Sequence, residues 1–254
     1  MSMEAQPYPQ ILESKVRRPW VRPGIVSRAA LVDRLLASHH VPVVCVVAPA
    51  GYGKTTLLSQ WAEQRGRAAW VSLDERDNDP EILLACAAVA LNRVEAIDPE
   101  LLRTRWRGGA SIAATAVTRL AGAMSAMTEP VALVLDHVEQ VSNQECRDAV
   151  AELALHLPAG SQLAVATREA PPLPMARLRA AREVVEVGVD DLALDAEEAR
   201  VLVEAVGVQL GDDEHDKLIE RTEGWPVGLY LAALASRPEA RKRPRVSGSR
   251  GRTG

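Results

Sequence analysis

The chain has 254 residues, 47% of them hydrophobic and 25% charged, which suits one large globular domain or one domain with a small appendage. These values exclude a chain disordered throughout, a collagen-like fibre and a disulfide-stapled miniprotein. Residues 1–236 carry 23 basic against 33 acidic side chains, while residues 237–254 carry seven basic against Glu239 alone, so the acidic body excludes a broad nucleic-acid-binding face.

The opening Met-Ser-Met-Glu-Ala-Gln-Pro has no basic segment ahead of an apolar stretch, and this predicts a cytoplasmic protein rather than a secreted one. Residues 1–24 are rich in Pro and lack an apolar period, so they read as an extended lead-in. Val26–His39 has Leu31, Leu35 and Leu36 at helical spacing, with Ser27 as its N-cap. Pro42–Ala48 contains the β-branched run Val43-Val44-Cys45-Val46-Val47, as expected of a strand buried on both faces. A Gly-rich loop leads into a helix over Lys54–Gln64, and Ala69–Leu73 reads as a second strand.

Helices follow over Glu81–Val94 and Ala110–Met127. The first contains the longest apolar run, Ile82–Leu91, whose ten residues are half of the about 20 that a membrane-spanning helix needs. No membrane partner is therefore expected. Val131–Leu135 is a third strand, Gln144–Leu157 a helix, Gln162–Thr167 a fourth strand and Val184–Val187 a fifth. Strands alternating with helices predict an α/β fold, with a parallel five-stranded sheet flanked by helices. Asp195–Val206, Asp212–Thr222 and Pro226–Ser236 then read as a small helical subdomain. The expected organisation is a lead-in over 1–24, an α/β domain over 25–190, a helical subdomain over 191–236 and a basic disordered tail over 237–254. Cys45, Cys86 and Cys146 have neither zinc spacing nor a paired framework and read as buried packing residues. Trp61, Trp70 and Trp106 read as core.

The most specific chemistry lies in Ala48-Pro49-Ala50-Gly51-Tyr52-Gly53-Lys54-Thr55-Thr56, between a buried strand and a helix. This is the setting of a phosphate-binding loop. Gly51 and Gly53 would let backbone N–H groups of Ala50 to Thr56 turn inward, toward phosphate oxygens held at the helix N-terminus. Lys54 would reach the β- and γ-phosphates, and the Thr55 hydroxyl would hold Mg²⁺. The pattern departs from G-x-x-x-x-G-K-[ST] at Ala48, where a compact residue stands for Gly. Asp136 ends the apolar strand Leu133-Val134-Leu135 and fits the second half of such a site, holding Mg²⁺ through water. His137 occupies the place where many related hydrolases carry a second acid. Either Glu139 takes over the activation of water or hydrolysis is slow. Arg168, after the fourth strand, reads either as a sensor of the γ-phosphate or as a plain surface arginine.

Taken in order, these motifs resemble the N-terminal ATPase module of the MalT-like, LuxR-type large ATP-binding transcriptional regulators, members of the signal-transduction ATPases with numerous domains. The resemblance spans roughly Ser14–Ala235. It rests on Lys15-Val16, Pro19 through Arg28, Ala48–Thr56, Val71-Ser72-Leu73-Asp74, Leu133–Asp136, Thr167-Arg168, Pro171–Pro174 with Ala176–Arg179, and Thr222-Glu223-Gly224-Trp225-Pro226-Val227-Gly228-Leu229. It implies a P-loop ATPase that binds ATP or ADP with Mg²⁺ and acts as a nucleotide switch. In such a switch ADP holds a closed monomer, and ATP with an inducer favours a self-associating form. It further implies that the segment around Arg22–Arg28 lies near the adenine, that Pro226 contacts the adenine, and that Asp74-Glu75-Arg76-Asp77 lies near the nucleotide. The residues alone read that last stretch equally as a solvated turn. The family's helical-repeat sensor and helix-turn-helix are not found in the chain, so direct sequence-specific DNA binding is not expected of it. Two other readings stand beside this one. The first is a P-loop small-molecule phosphotransferase with a lid around Arg177–Arg182. The second is a degenerate, non-functional remnant. The basic tail reads either as a nucleic-acid binder, through seven basic side chains that could neutralise phosphates, or as a solvated remnant of a longer protein.

Overall fold

The computed structural model describes residues 13–20, 25–98 and 112–236. The basic tail, Arg22, Trp106, most of the lead-in and the first two residues of the expected 110–127 helix lie outside them. The described residues divide into two compact units, one of residues 13–20 and 27–192, the other of residues 25–26 and 193–236.

The first unit is a parallel sheet of five strands: β1 (Val43–Val47), β2 (Ala68–Ser72), β3 (Ala132–Asp136), β4 (Gln162–Thr167) and β5 (Val184–Val187). They lie in the order β2-β3-β4-β1-β5. Side chains of successive strand residues point to opposite faces, and the sequence uses this to build two cores. Val43, Cys45, Leu133, Leu135, Leu163 and Val165 face one side with Ala69 and Val71. There they meet α3 (Pro80–Val94), α4 (Ile112–Ala126) and α5 (Gln144–Leu155). Val44, Val46, Trp70, Ala132, Val134, Ala164 and Ala166 face the other side. They pack on Val32 and Leu35 of α1 (Ala29–Ala37) and on Leu57, Leu58 and Trp61 of α2 (Lys54–Arg65). With no Phe in the chain, Trp61 and Trp70 supply the bulk there, and both are buried. Cys45, Cys86 and Cys146 are free and buried.

The register sets the site. Ser72 stands opposite Asp136 and Val47 opposite Thr167. The C-terminal ends of β1, β3 and β4 therefore finish side by side, where open α/β sheets gather their ligands.

Two expectations about local structure are corrected, and two helices come without one. The helix expected from Val26 begins only at Ala29, and its N-cap is Arg28, without a side-chain cap bond, rather than Ser27. The Arg28 backbone N–H instead donates to Gln60 Oε1 at 2.9 Å, and Val26 packs in the second unit with Leu194, Ala199 and Leu229. Within the expected lead-in, Glu13–Val16 forms a 3-10 turn whose Lys15 and Val16 are buried; Val16 joins the first core. Finally, two helices carry no clear signal in the sequence: α6 (Met175–Ala181) and the single turn α7 (Val189–Leu192).

The second unit is three helices, α8 (Ala196–Ala205), α9 (Asp212–Thr222) and α10 (Pro226–Ser236). Asp195 and Glu198 close a capping box on α8. The Gly-Trp-Pro block is explained by packing here. Gly224 takes φ +71° and a Cβ on it would lie 2.6 Å from the Leu194 carbonyl oxygen, while its own carbonyl accepts the Leu194 N–H at 2.9 Å. A Cβ on Gly228 would lie 2.6 Å from the Trp225 ring. Pro226 opens α10, where its missing N–H costs nothing.

Candidate functional site

The loop between β1 and α2 is built as its sequence asks. Gly51 and Gly53 have φ of 83° and 81°, a region closed to most L-residues. Gly53 is the N-cap of α2 with no side-chain cap, so the first N–H groups of that helix face the loop and form an anion-binding end. Ala50, Tyr52 and Thr56 lie on this loop and first turn, and Tyr52 leans on the second core. Ala48 is buried and its N–H reaches the Thr167 carbonyl at 3.3 Å, which ties the loop to β4.

Lys54 turns back over the loop. Its ammonium donates to the carbonyls of Ala48 at 2.6 Å and Pro49 at 2.9 Å. Burial lowers its pKa and Arg168 adds to this, against Glu139 and Asp136, which raise it. The Thr55 hydroxyl donates to Asp136 Oδ2 at 2.8 Å, so the two residues read from sequence as metal holders are joined across 81 positions. Asp136 is buried. Burial raises its pKa, opposed by His137 and by the bonds from Thr55 and the His137 N–H. A hydroxyl beside one buried carboxylate fits Mg²⁺, which takes few protein ligands and keeps phosphate and water for the rest. Among the described residues no group of three or more His, Cys, Asp or Glu could hold a metal ion.

His137 has φ 63°, a left-handed conformation in which His, Asn and Asp are over-represented. This turn carries the chain into the short 3-10 turn Val138–Gln140. The imidazole lies between two acids, with Nε2 3.5 Å from Asp136 and Nδ1 3.6 Å from Glu139. Glu139 is nearly buried and ion-pairs with Arg168 Nε at 2.9 Å. Its other oxygen takes the Arg168 N–H at 3.3 Å. The structure thus brings Lys54, Thr55, Asp136, Glu139 and Arg168 together, with Arg168 exposed and anchored to Glu139.

Arg28, expected near the adenine, and Pro226, expected to contact it, have structural roles of their own. The Arg28 guanidinium donates to the main-chain carbonyls of Asp191 and Leu192, so it closes the C-terminal end of α7. Pro226 starts α10 in the second unit.

The sequence does not reveal the scaffold behind Glu139. Asp77 is fully buried, in a 3-10 turn over Glu75–Asn78, so it does not belong to a solvated stretch. Lys15 reaches it at 2.6 Å and Asp74 at 3.0 Å. The signal is present in two motifs, Lys15-Val16 and Asp74–Asp77, whose partnership only the fold reveals.

No protein-family model matches the chain. Among curated proteins it is 30% identical over 233 residues to the HTH-type transcriptional regulator MalT of Klebsiella pneumoniae, covering 89% of this chain and 25% of that protein. It is 31% identical over 236 residues to MalT of Yersinia enterocolitica, with the same coverage, and 31% identical over 231 residues to MalT of Serratia proteamaculans. The chain therefore spans about a quarter of the length of the curated relatives it matches. Among solved structures it is similar to the Walker-type ATPase PABY2304 of Pyrococcus abyssi, with TM-score 0.53 and 14% identity over 85% of this chain and 69% of that one. The resemblance read from the motifs is borne out, and over most of its length this chain is a homologue of the MalT transcriptional regulators with the α/β fold of a Walker-type ATPase.

Proposed function

We propose that this chain is an adenine-nucleotide-binding module of a MalT-like transcriptional regulator, a switch set by ATP or ADP that turns over slowly or not at all. The observation that carries the reading is the hydrogen bond from Thr55 to Asp136 beside Lys54, because it assembles a phosphate loop and a metal-holding acid from distant parts of the chain. Loop N–H groups from Ala50 to Thr56 and the Lys54 ammonium hold the phosphates. Thr55 and Asp136 hold Mg²⁺, which when bound neutralises charge on the β- and γ-phosphates. Arg168 senses the terminal phosphate, and Glu139 orients water beside it. His137 in place of a second acid accounts for slow hydrolysis. The switch signals by self-association in the ATP form, in a cytoplasmic setting.

The test is direct. The purified protein is denatured and any released nucleotide identified, and binding of ATP and ADP with Mg²⁺ is then measured for wild type and Lys54→Ala. Near-stoichiometric adenine nucleotide and at least about a tenfold loss in the variant are expected, since a charge-assisted contact is worth about 1.5–3 kcal/mol. A wild-type protein that carries and binds neither nucleotide, or a variant that binds as well as wild type, overturns the reading.

A further inference from the structure

Asn78 ends the 3-10 turn after edge strand β2, yet its amide head belongs to the loop after β3. Its Nδ2 donates to the Gln140 carbonyl at 2.8 Å and to the Glu75 carbonyl at 3.1 Å. Its Oδ1 accepts the N–H groups of Ser142 at 2.6 Å and Asn143 at 2.8 Å, and the Ser142 hydroxyl at 3.1 Å. One side chain thereby pins both polarities of residues 140–143, which only a group with donors and an acceptor on one planar head can do. The pinned loop is the one that carries Glu139, and Glu139 holds both the Arg168 side chain and the Arg168 N–H.

The base of this clamp is itself fixed. Asp74 and Asp77 close a capping box across the turn. Lys15 ties both acids to the Glu13–Val16 turn on the β2 edge, and the next residue, Asp79, caps α3 through the Glu81 N–H at 2.8 Å. Such over-determined support is what holds a reacting group within about 0.5 Å of its working position.

We propose that Asn78 is the positioning residue for Glu139 and Arg168, setting the preference for ATP over ADP without taking part in binding the rest of the nucleotide. This rests on the reading of the site as an ATP site. The hydrogen bonds of Asn78 go to Glu75 and to residues 140–143, so it acts through the loop it clamps.

The experiment compares wild type, Asn78→Ala and Asn78→Asp in the full chain by calorimetry with ATP and ADP and by hydrogen exchange without nucleotide. For Asn78→Ala, ADP affinity stays within about twofold while ATP affinity falls about fivefold, the equilibrium value of about one neutral hydrogen bond. The Ser142, Asn143 and Arg168 amides exchange faster while those of β1 keep their protection. Asn78→Asp keeps the acceptor, so it restores protection at Ser142 and Asn143 and most of the ATP preference. Equal weakening of both nucleotides, unchanged exchange at Arg168, or failure of the aspartate to rescue overturns the proposal. A wild-type protein that binds neither nucleotide overturns the ATP reading instead, and the Arg168 amide still decides whether Asn78 holds Glu139.

Discussion

Replacing Lys15 by methionine tests how far the N-terminal turn supports the site. Lys15 is 8% exposed and its partner Asp77 0% exposed, with 2.6 Å between charged atoms. Methionine fills much of the lysine stem but leaves the Asp77 carboxylate buried without its cation. Breaking a buried pair from one side costs about 3–5 kcal/mol. Here the carboxylate keeps the Asp74 N–H at 2.7 Å and the Cys86 thiol at 3.8 Å, so the lower end, about 3 kcal/mol, is expected. For a unit of this size that lowers the melting midpoint by about 6–12 °C. Urea unfolding followed by fluorescence of the buried Trp61 and Trp70 gives the equilibrium value. Asp77→Asn supplies the second side of the cycle, because its amide oxygen still accepts the Asp74 N–H. The double variant should recover about 2 kcal/mol of the sum of the single losses, since it strands no charge. A Lys15→Met loss below about 1 kcal/mol, or strictly additive losses, would refute the view that this pair fixes the turn after β2.

Two further outcomes follow from the site and the second unit. Burial raises the Asp136 pKa, so the folded state holds that proton more tightly than the unfolded chain does; its contribution is present at low pH and lost as pH rises through the raised value. Asp136→Asn should therefore melt above wild type at neutral pH, with the gap closing on acidification, because the Thr55 hydroxyl can rotate to accept from the new amide; a variant melting below wild type at neutral pH would contradict this. Gly53→Ala should cost about 1–2 kcal/mol from its left-handed backbone alone, since a Cβ there meets nothing within 4 Å. Gly224→Ala should cost more, because its Cβ also meets the Leu194 backbone at 2.6 Å. Equal losses for the two in urea unfolding would remove the steric account.

Much of this protein is legible in its residues one after another. The five strands and most helices follow from runs such as Val43–Val47 and from Gly and Pro punctuation, because those signals are local in the chain. The phosphate loop is contiguous and so announces itself, and Asp136 is marked by its place after an apolar strand. The strand order that brings Asp136 to Thr55 cannot be read this way, because it is decided by which faces pack and not by spacing. Lys15, Asp77 and Asn78 look like solvated polar residues for the same reason. Their meaning lies in partners up to 65 positions away, and a buried ion pair or a saturated amide exists only once the sheet has brought those segments together. The role of Arg28 likewise turns on tertiary contact, since a long side chain meets whichever carbonyls the fold leaves open. Chain order therefore accounts for the elements and for the chemistry of the loop. Which distant side chains aim that chemistry was settled by packing, because a hydrogen bond acts over about 3 Å of space whatever the separation along the chain.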